Sequence, residues 1–135
     1  MLTECLTLTP EIEVLLTRAM FPDPDRIRGT LQTYREDPER RVFGWMAGGR
    51  MVSAAGVRQE GEELEVLHLA TARGEEGRGH ARTLLHALAE HLNAARLVAE
   101  TDDAAVNFYR RSGFEVRPAP PRGDRSRSRV ALTRP

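Results

Sequence analysis

The chain has 135 residues, of which 40% are hydrophobic and 30% charged, a size and composition that suit one soluble domain built around one core. Its 20 acidic and 20 basic residues cancel, so no global positive field draws it onto nucleic acid or an anionic membrane. Every basic residue is arginine, which excludes a lysine Schiff base and a lysine-dependent phosphate loop, and the lone Cys5 excludes an internal disulfide and a zinc–thiolate cluster.

Met1 to Leu8 lacks the basic-then-apolar order of an export signal, and no apolar run reaches the roughly 20 residues that span a bilayer; a cytoplasmic protein is expected. Leu2 to Leu8 alternates like a strand, and Thr9-Pro10 followed by Glu11 and Glu13 marks a helix start, with the helix running to about Met20. Phe21-Pro22-Asp23-Pro24-Asp25 is a stiff turn, after which Ile27, Leu31 and Tyr34 recur at helical spacing until Asp37-Pro38. Arg41 to Ala47 and Met51 to Val57 are rich in strand formers around a Gly48-Gly49 hairpin signal, and Glu60-Gly61-Glu62 suggests a second tight connection. Within Leu64 to Thr71 the apolar positions pass from Leu64 and Val66 to Leu67 and Leu69, a slip of one place that a β-bulge would produce.

Ala81, Leu84, Leu85, Leu88 and Leu92 share one face of the clearest helix. Arg96 to Glu100 reads as a strand; Asp102 is expected to begin a helix that carries Ala105, Phe108 and Tyr109 and stops at Gly113. Phe114 to Val116 and Arg129 to Leu132 form a last strand pair, and the proline- and arginine-rich link Arg117 to Ser128 is expected to be a mobile loop. There is no internal repeat, so residues 1–135 are read as a single domain.

Glu76-Gly77-Arg78-Gly79-His80-Ala81 lies between a strand and that amphipathic helix, where unpaired backbone N–H groups and the helix dipole favour an anion. A dinucleotide fingerprint would need glycine at Arg82, and a P-loop would need lysine, so neither fits. His80, His86 and His91 do not have the i, i+4 spacing of a helical metal pair, and no metal is expected. Arg122 to Arg129 has no aromatic residue on which a base would stack, which disfavours nucleic acid as a partner.

The block Leu67-His68-Leu69-Ala70-Thr71-Ala72-Arg73-Gly74-Glu75-Glu76-Gly77-Arg78-Gly79-His80-Ala81-Arg82-Thr83-Leu84-Leu85 resembles the cofactor motif of the GNAT N-acetyltransferases. Glu100 to Phe114, with Phe108-Tyr109 followed by Gly113-Phe114, is similar to the family's second motif. The resemblance implies an α/β fold: a mixed, mostly antiparallel central sheet with a splayed, bulged fourth strand and helices on both faces. It implies direct transfer of acetyl from acetyl-CoA to a small-molecule or peptide amine through a ternary complex, with no covalent acetyl-enzyme. Homodimers are common among such proteins.

On the same resemblance, the backbone of Leu69, Ala70 and Thr71 pairs with the pantetheine arm of acetyl-CoA, and Glu76, Gly77, Arg78, Gly79, His80 and Ala81 hold its pyrophosphate. Glu76 stands where the family usually has Gln or Arg, with Arg73 or Arg78 to supply the positive charge, and Asp102 stands where Asn is frequent. Tyr109 takes the role of general acid at the sulfur. Glu65, acting through water, is the expected general base, with Glu100 and His68 as the other options. The rival reading is a GNAT-fold domain that binds coenzyme A or a partner without turnover. Acceptor specificity is expected from Met20 to Arg28 and from the hairpin near Trp45.

Overall fold

The computed structural model describes residues 1–134. In chain order the elements are β1 (Leu2–Glu4), α1 (Pro10–Thr17), α2 (Pro24–Glu36), β2 (Arg40–Ala47), β3 (Arg50–Glu60), β4 (Glu63–Thr71), α3 (His80–His91), β5 (Arg96–Asp102), α4 (Val106–Arg111), β6 (Glu115–Arg122) and β7 (Arg125–Thr133). The strands form one seven-stranded sheet in the order β1-β2-β3-β4-β5-β7-β6. Every neighbouring pair is antiparallel except β4 and β5, so the sheet is mixed and mostly antiparallel, as expected.

Local chemistry sets the first helices. Thr9 caps α1 by accepting from the Ile12 N–H, and Asp23 caps α2 by accepting from the N–H groups of Asp25 and Arg26; each helix then begins on proline, which has no N–H to leave unpaired. α1 ends at Thr17 rather than Met20, because Ala19 and Met20 close tighter turns onto Leu16 and Thr17. β1 ends at Glu4 rather than Leu8: Cys5 still donates to the Val42 carbonyl, and the chain then leaves the sheet to reach the Thr9 cap.

Two apolar layers sandwich the sheet. On one face Leu84, Leu85 and Leu88 of α3, with Val106 and Tyr109 of α4, pack on Phe43, Val57, Leu64, Val66 and Leu97. On the other, Ile12, Leu15 and Leu16 of α1 and Tyr34 of α2 cover Val42, Met51, Ala54 and Ala70. Each fully buried leucine contributes roughly 1.5–3 kcal/mol.

The slip in β4 is a true bulge. Val57 faces Val66 while Gly56 faces His68, which leaves Leu67 as the extra residue. Pairing with β5 is confined to Glu63–Val66 against Arg96–Ala99, and beyond Val66 the two strands part. β5 is held instead by β7, from Arg96 to Asp102.

Two expectations are corrected. Arg117 to Ser128 is not a loop but the β6–β7 hairpin, turning at Gly123 with φ 63°; its prolines are tolerated because β6 is an edge strand. Asp102 does not cap α4. It is the last residue of β5, paired with Arg127, and its Oδ1 accepts from the Ala105 N–H at 3.0 Å, so the helix starts only at Val106.

At Gly56 the missing side chain has a defined use: a Cβ there would overlap the Tyr34 hydroxyl. Gly56→Ala should therefore destabilise the fold by about 1–3 kcal/mol, read as a lower urea midpoint with an unchanged m value.

Candidate active site

The turn from β4 into α3 presents a run of backbone N–H groups at the start of α3. Gly74, Gly77 and Gly79 have φ of 84°, 76° and 82°, in the left-handed region, and a Cβ on any of them would meet nothing within 4 Å. Glycine is needed here for backbone conformation, not for packing. Gly79 caps α3 without a side chain, the first turn of α3 carries no acidic residue, and no acceptor among the described residues takes the N–H groups of Gly77 to Arg82. All of these residues but Arg78 border a groove of ≈ 500 Å³, which Phe108, Arg111 and Ser112 also line.

Glu76 leaves these amides free by turning its charge away. One carboxylate oxygen accepts from the Gly74 N–H at 2.8 Å and the other from Arg18 at 2.9 Å. Bonds to its own and the Gly74 backbone N–H, with Arg18 alongside, hold its carboxyl below the ordinary range. Arg18 also donates through Nε to the Thr71 carbonyl at 2.8 Å and so ties the end of α1 to the end of β4. Glu75 has three nitrogen neighbours: His80 Nε2 at 3.3 Å, Arg78 at 3.6 Å and Arg50 at 3.9 Å.

Where β4 and β5 part, a second recess of ≈ 550 Å³ opens. Val66 to Leu69 and Glu100 to Asp102 line it from the split strands, Phe21 and Ile27 from the α1–α2 side, and Tyr109 from α4. Tyr109 is only 5% exposed and lies edge-on against both Phe108 and Phe114, each with ring centroids 5.1 Å away. Burial pushes its hydroxyl up to about 12, and no protein group among the described residues bonds it. Phe108 borders the groove and Tyr109 the recess, while Thr71 borders the groove and Leu69 the recess. α4 and β4 are thus shared walls.

The three acid–base options lie on the same stretch of sheet in different states. Glu100 lines the recess but is paired with Arg122 at 3.3 Å and Arg127 at 3.2 Å. Burial works to raise its pKa, yet these arginines hold it below the usual carboxylate range. His68 also lines the recess; its Nδ1 lies 2.5 Å from the Tyr34 hydroxyl, and burial, helped by Arg40, lowers its pKa to about 4. Tyr34 is itself buried and its ionisation suppressed, so a neutral hydroxyl and a neutral imidazole share this hydrogen bond, which occupies Nδ1 and leaves Nε2 for the recess. Glu65 sits opposite Arg58 and accepts from it at 2.7 Å, in an adjoining hollow shared with Glu100 rather than in the recess with Tyr109.

The model of the Acetyltransferase (GNAT) family matches residues 9–114. The chain belongs to this family. No curated protein sequence matches this GNAT chain. Its fold is that of a Bacillus subtilis acetyltransferase solved in complex with CoA, with TM-score 0.72 and 15% identity over 98% of this chain and 97% of that one. A GNAT acetyltransferase from Elizabethkingia anophelis with acetyl-CoA bound gives TM-score 0.71 and 15% identity over 98% and 97%. An aminoglycoside 6'-N-acetyltransferase complexed with coenzyme A gives 0.73 and 14% over 100% and 99%. Among the described residues no cluster of metal-ligating side chains occurs, and no helix is long and apolar enough to cross a membrane.

Arg18 is remote from both motifs in the chain, and Tyr34 has the helical spacing of any core aromatic, so neither carries a local signal of its place at the site. His68 gives a measurable consequence. Its folded pKa lies below the ordinary 6.5, so between pH 6.5 and about 4 the unfolded chain takes a proton that the folded chain refuses. Stability should fall by on the order of 2 kcal/mol as pH drops through that window, and His68→Gln should flatten the fall in urea titrations at several pH values.

Proposed function

We propose that this GNAT domain is an N-acetyltransferase that uses acetyl-CoA and passes the acetyl group directly to an amine held in the recess. The observation that carries the reading is the junction of the two spaces: a row of unpaired loop amides leads along β4, past the point where it loses β5, to a largely buried tyrosine whose hydroxyl has no protein partner. Acetyl-CoA, when bound, supplies a thioester acetyl group and a thiol leaving group.

The residues divide the work by their chemistry. The N–H groups of Gly77, Arg78, Gly79, His80 and Ala81, at the positive end of α3, suit a pyrophosphate, and open space at Gly77 and Gly79 lets it approach. Glu76 and Asp102 shape the rims of the two spaces through backbone N–H bonds, to Gly74 and Ala105 respectively. Leu69, Ala70 and Thr71 form the strand edge that β5 no longer covers; the carbonyls of Thr71 and Ala70 already accept from Arg18 and Ser53, and the other backbone groups of this edge are the ones proposed to pair with an extended amide-bearing arm. A backbone donor on that edge serves the developing oxyanion at no cost in reorganisation. Tyr109, protonated throughout the neutral range, donates to the departing sulfur.

For the amine proton, His68 is a poor base because its ring resists a second proton, and Glu100 is committed to two arginines. Glu65 keeps one ion pair at a side chain 40% exposed, within reach of water, and remains the proposed base by that route.

Thermal shift with acetyl-CoA tests the cofactor: at a hundredfold excess over Kd it should add about 2.7 kcal/mol of stability. Binding without thiol release from any amine would favour the coenzyme A-binding module instead. Tyr109→Phe should lower kcat about 10²-fold while leaving acetyl-CoA affinity intact; an unchanged kcat would remove Tyr109 from the mechanism. Glu65→Gln should lower kcat/KM for the amine while leaving acetyl-CoA affinity intact.

A further inference from the structure

The recess in front of Tyr109 has an unbalanced charge. Arg18, Arg26, Arg122, Arg125 and Arg127 line it, against Glu100 and Asp102 alone. Glu100 is shared by Arg122 and Arg127, Arg18 is engaged by Thr71 and Glu76, and Asp102 accepts from the Ala105 N–H. Arg26 and Arg125 have no carboxylate partner among the described residues.

Both instead stack on Phe21, with guanidinium carbons 5.1 and 4.7 Å from the ring centroid. Phe21 is 48% exposed, so this cluster stands at the mouth of the recess, where it joins the α1–α2 turn to the β6–β7 hairpin. A guanidinium that lies over an aromatic ring and has no carboxylate partner keeps N–H groups for an anion, and arginine has no acceptor of its own. Deeper in, His68 presents Nε2, since Tyr34 occupies Nδ1. The recess is thus rich in donors and poor in uncommitted acceptors, which disfavours a polycationic ligand.

We propose that the acceptor is an amine that also bears a carboxylate or phosphate group, which Arg26 and Arg125 grip at the mouth while the amine reaches in toward Tyr109. This rests on the acetyl-transfer reading above and narrows its substrate class.

The test uses matched amines: an α-amino acid against its amide, phosphoethanolamine against ethanolamine, and spermidine. Thiol release from acetyl-CoA and calorimetric binding to the coenzyme A-loaded protein are measured for each. The acidic member of at least one pair should show kcat/KM and affinity tenfold or more above its neutral partner, and the pair that does so separates carboxylate from phosphate. Arg26→Gln with Arg125→Gln should erase that preference, mainly through KM, with the acetyl-CoA KM unchanged and the circular dichroism spectrum native.

Preference for spermidine or the neutral members would overturn the proposal, as would equal losses for both members of a pair in the variant. Should acetyl-CoA fail to bind, the acetyl-transfer reading falls, and calorimetry of the acidic amines on the free protein decides the charge preference separately: binding no tighter than that of their neutral partners overturns it.

Discussion

One extra residue in β4 governs the rest of the molecule. Leu67 has no partner in β3, and from that point β4 can no longer lie flat against β5, so parallel pairing stops at Val66 and Ala99. A sheet broken in its middle would ordinarily expose two new edges, at a cost in unpaired backbone. Here the cost is limited because β5 is paired along its whole length with β7 and β4 along most of its length with β3. The β6–β7 hairpin is therefore part of the site's support: without β7, β5 would have no neighbour beyond the split. What remains uncovered is the short β4 edge from Leu69 to Thr71, with Tyr109 facing the gap from α4.

Electrostatics at the α3 turn follows the same economy. A carboxylate beside the proposed anion site would ordinarily oppose its use, yet Glu76 is drawn toward Gly74 and Arg18, away from the free amides. Its charge holds the shape of the loop and, through Arg18, fixes α1 to the Thr71 end of β4. The acceptor side and the cofactor side of the proposed site are thereby linked by one guanidinium, which touches the strand edge and the loop together.

Much of this was legible in the sequence because the relevant signals are local. The phase slip at Val66 and Leu67 reports the bulge, the glycines report a left-handed turn, and the leucine spacing reports α3. What escaped depends on contacts distant in the chain. Arg117 to Ser128 reads as a loop from its prolines, and only the order β5-β7-β6 shows that they lie on an edge where a missing N–H costs little. Asp102 reads as a helix cap from its type, but pairing with Arg127 keeps it in the strand. Arg18 with Glu76, and Tyr34 with His68, are separated by 58 and 34 residues, beyond any periodicity or spacing argument.

The Tyr34–His68 pair shows how a single absent side chain propagates to the site. Gly56 provides the space above β3 into which the Tyr34 hydroxyl fits, and the bulge that follows Val66 turns His68 toward that hydroxyl instead of away from it. Desolvation keeps both groups neutral, and the hydrogen bond occupies Nδ1, so that Nε2 is the nitrogen left for the recess. A charged imidazolium there would add to the arginines already present and raise the cost of bringing any ammonium near Tyr109. Holding His68 neutral keeps the inner end of the recess tolerable to an amine, while the guanidiniums at the mouth supply the attraction, so the charge gradient along the recess orients a ligand that is anionic at one end only.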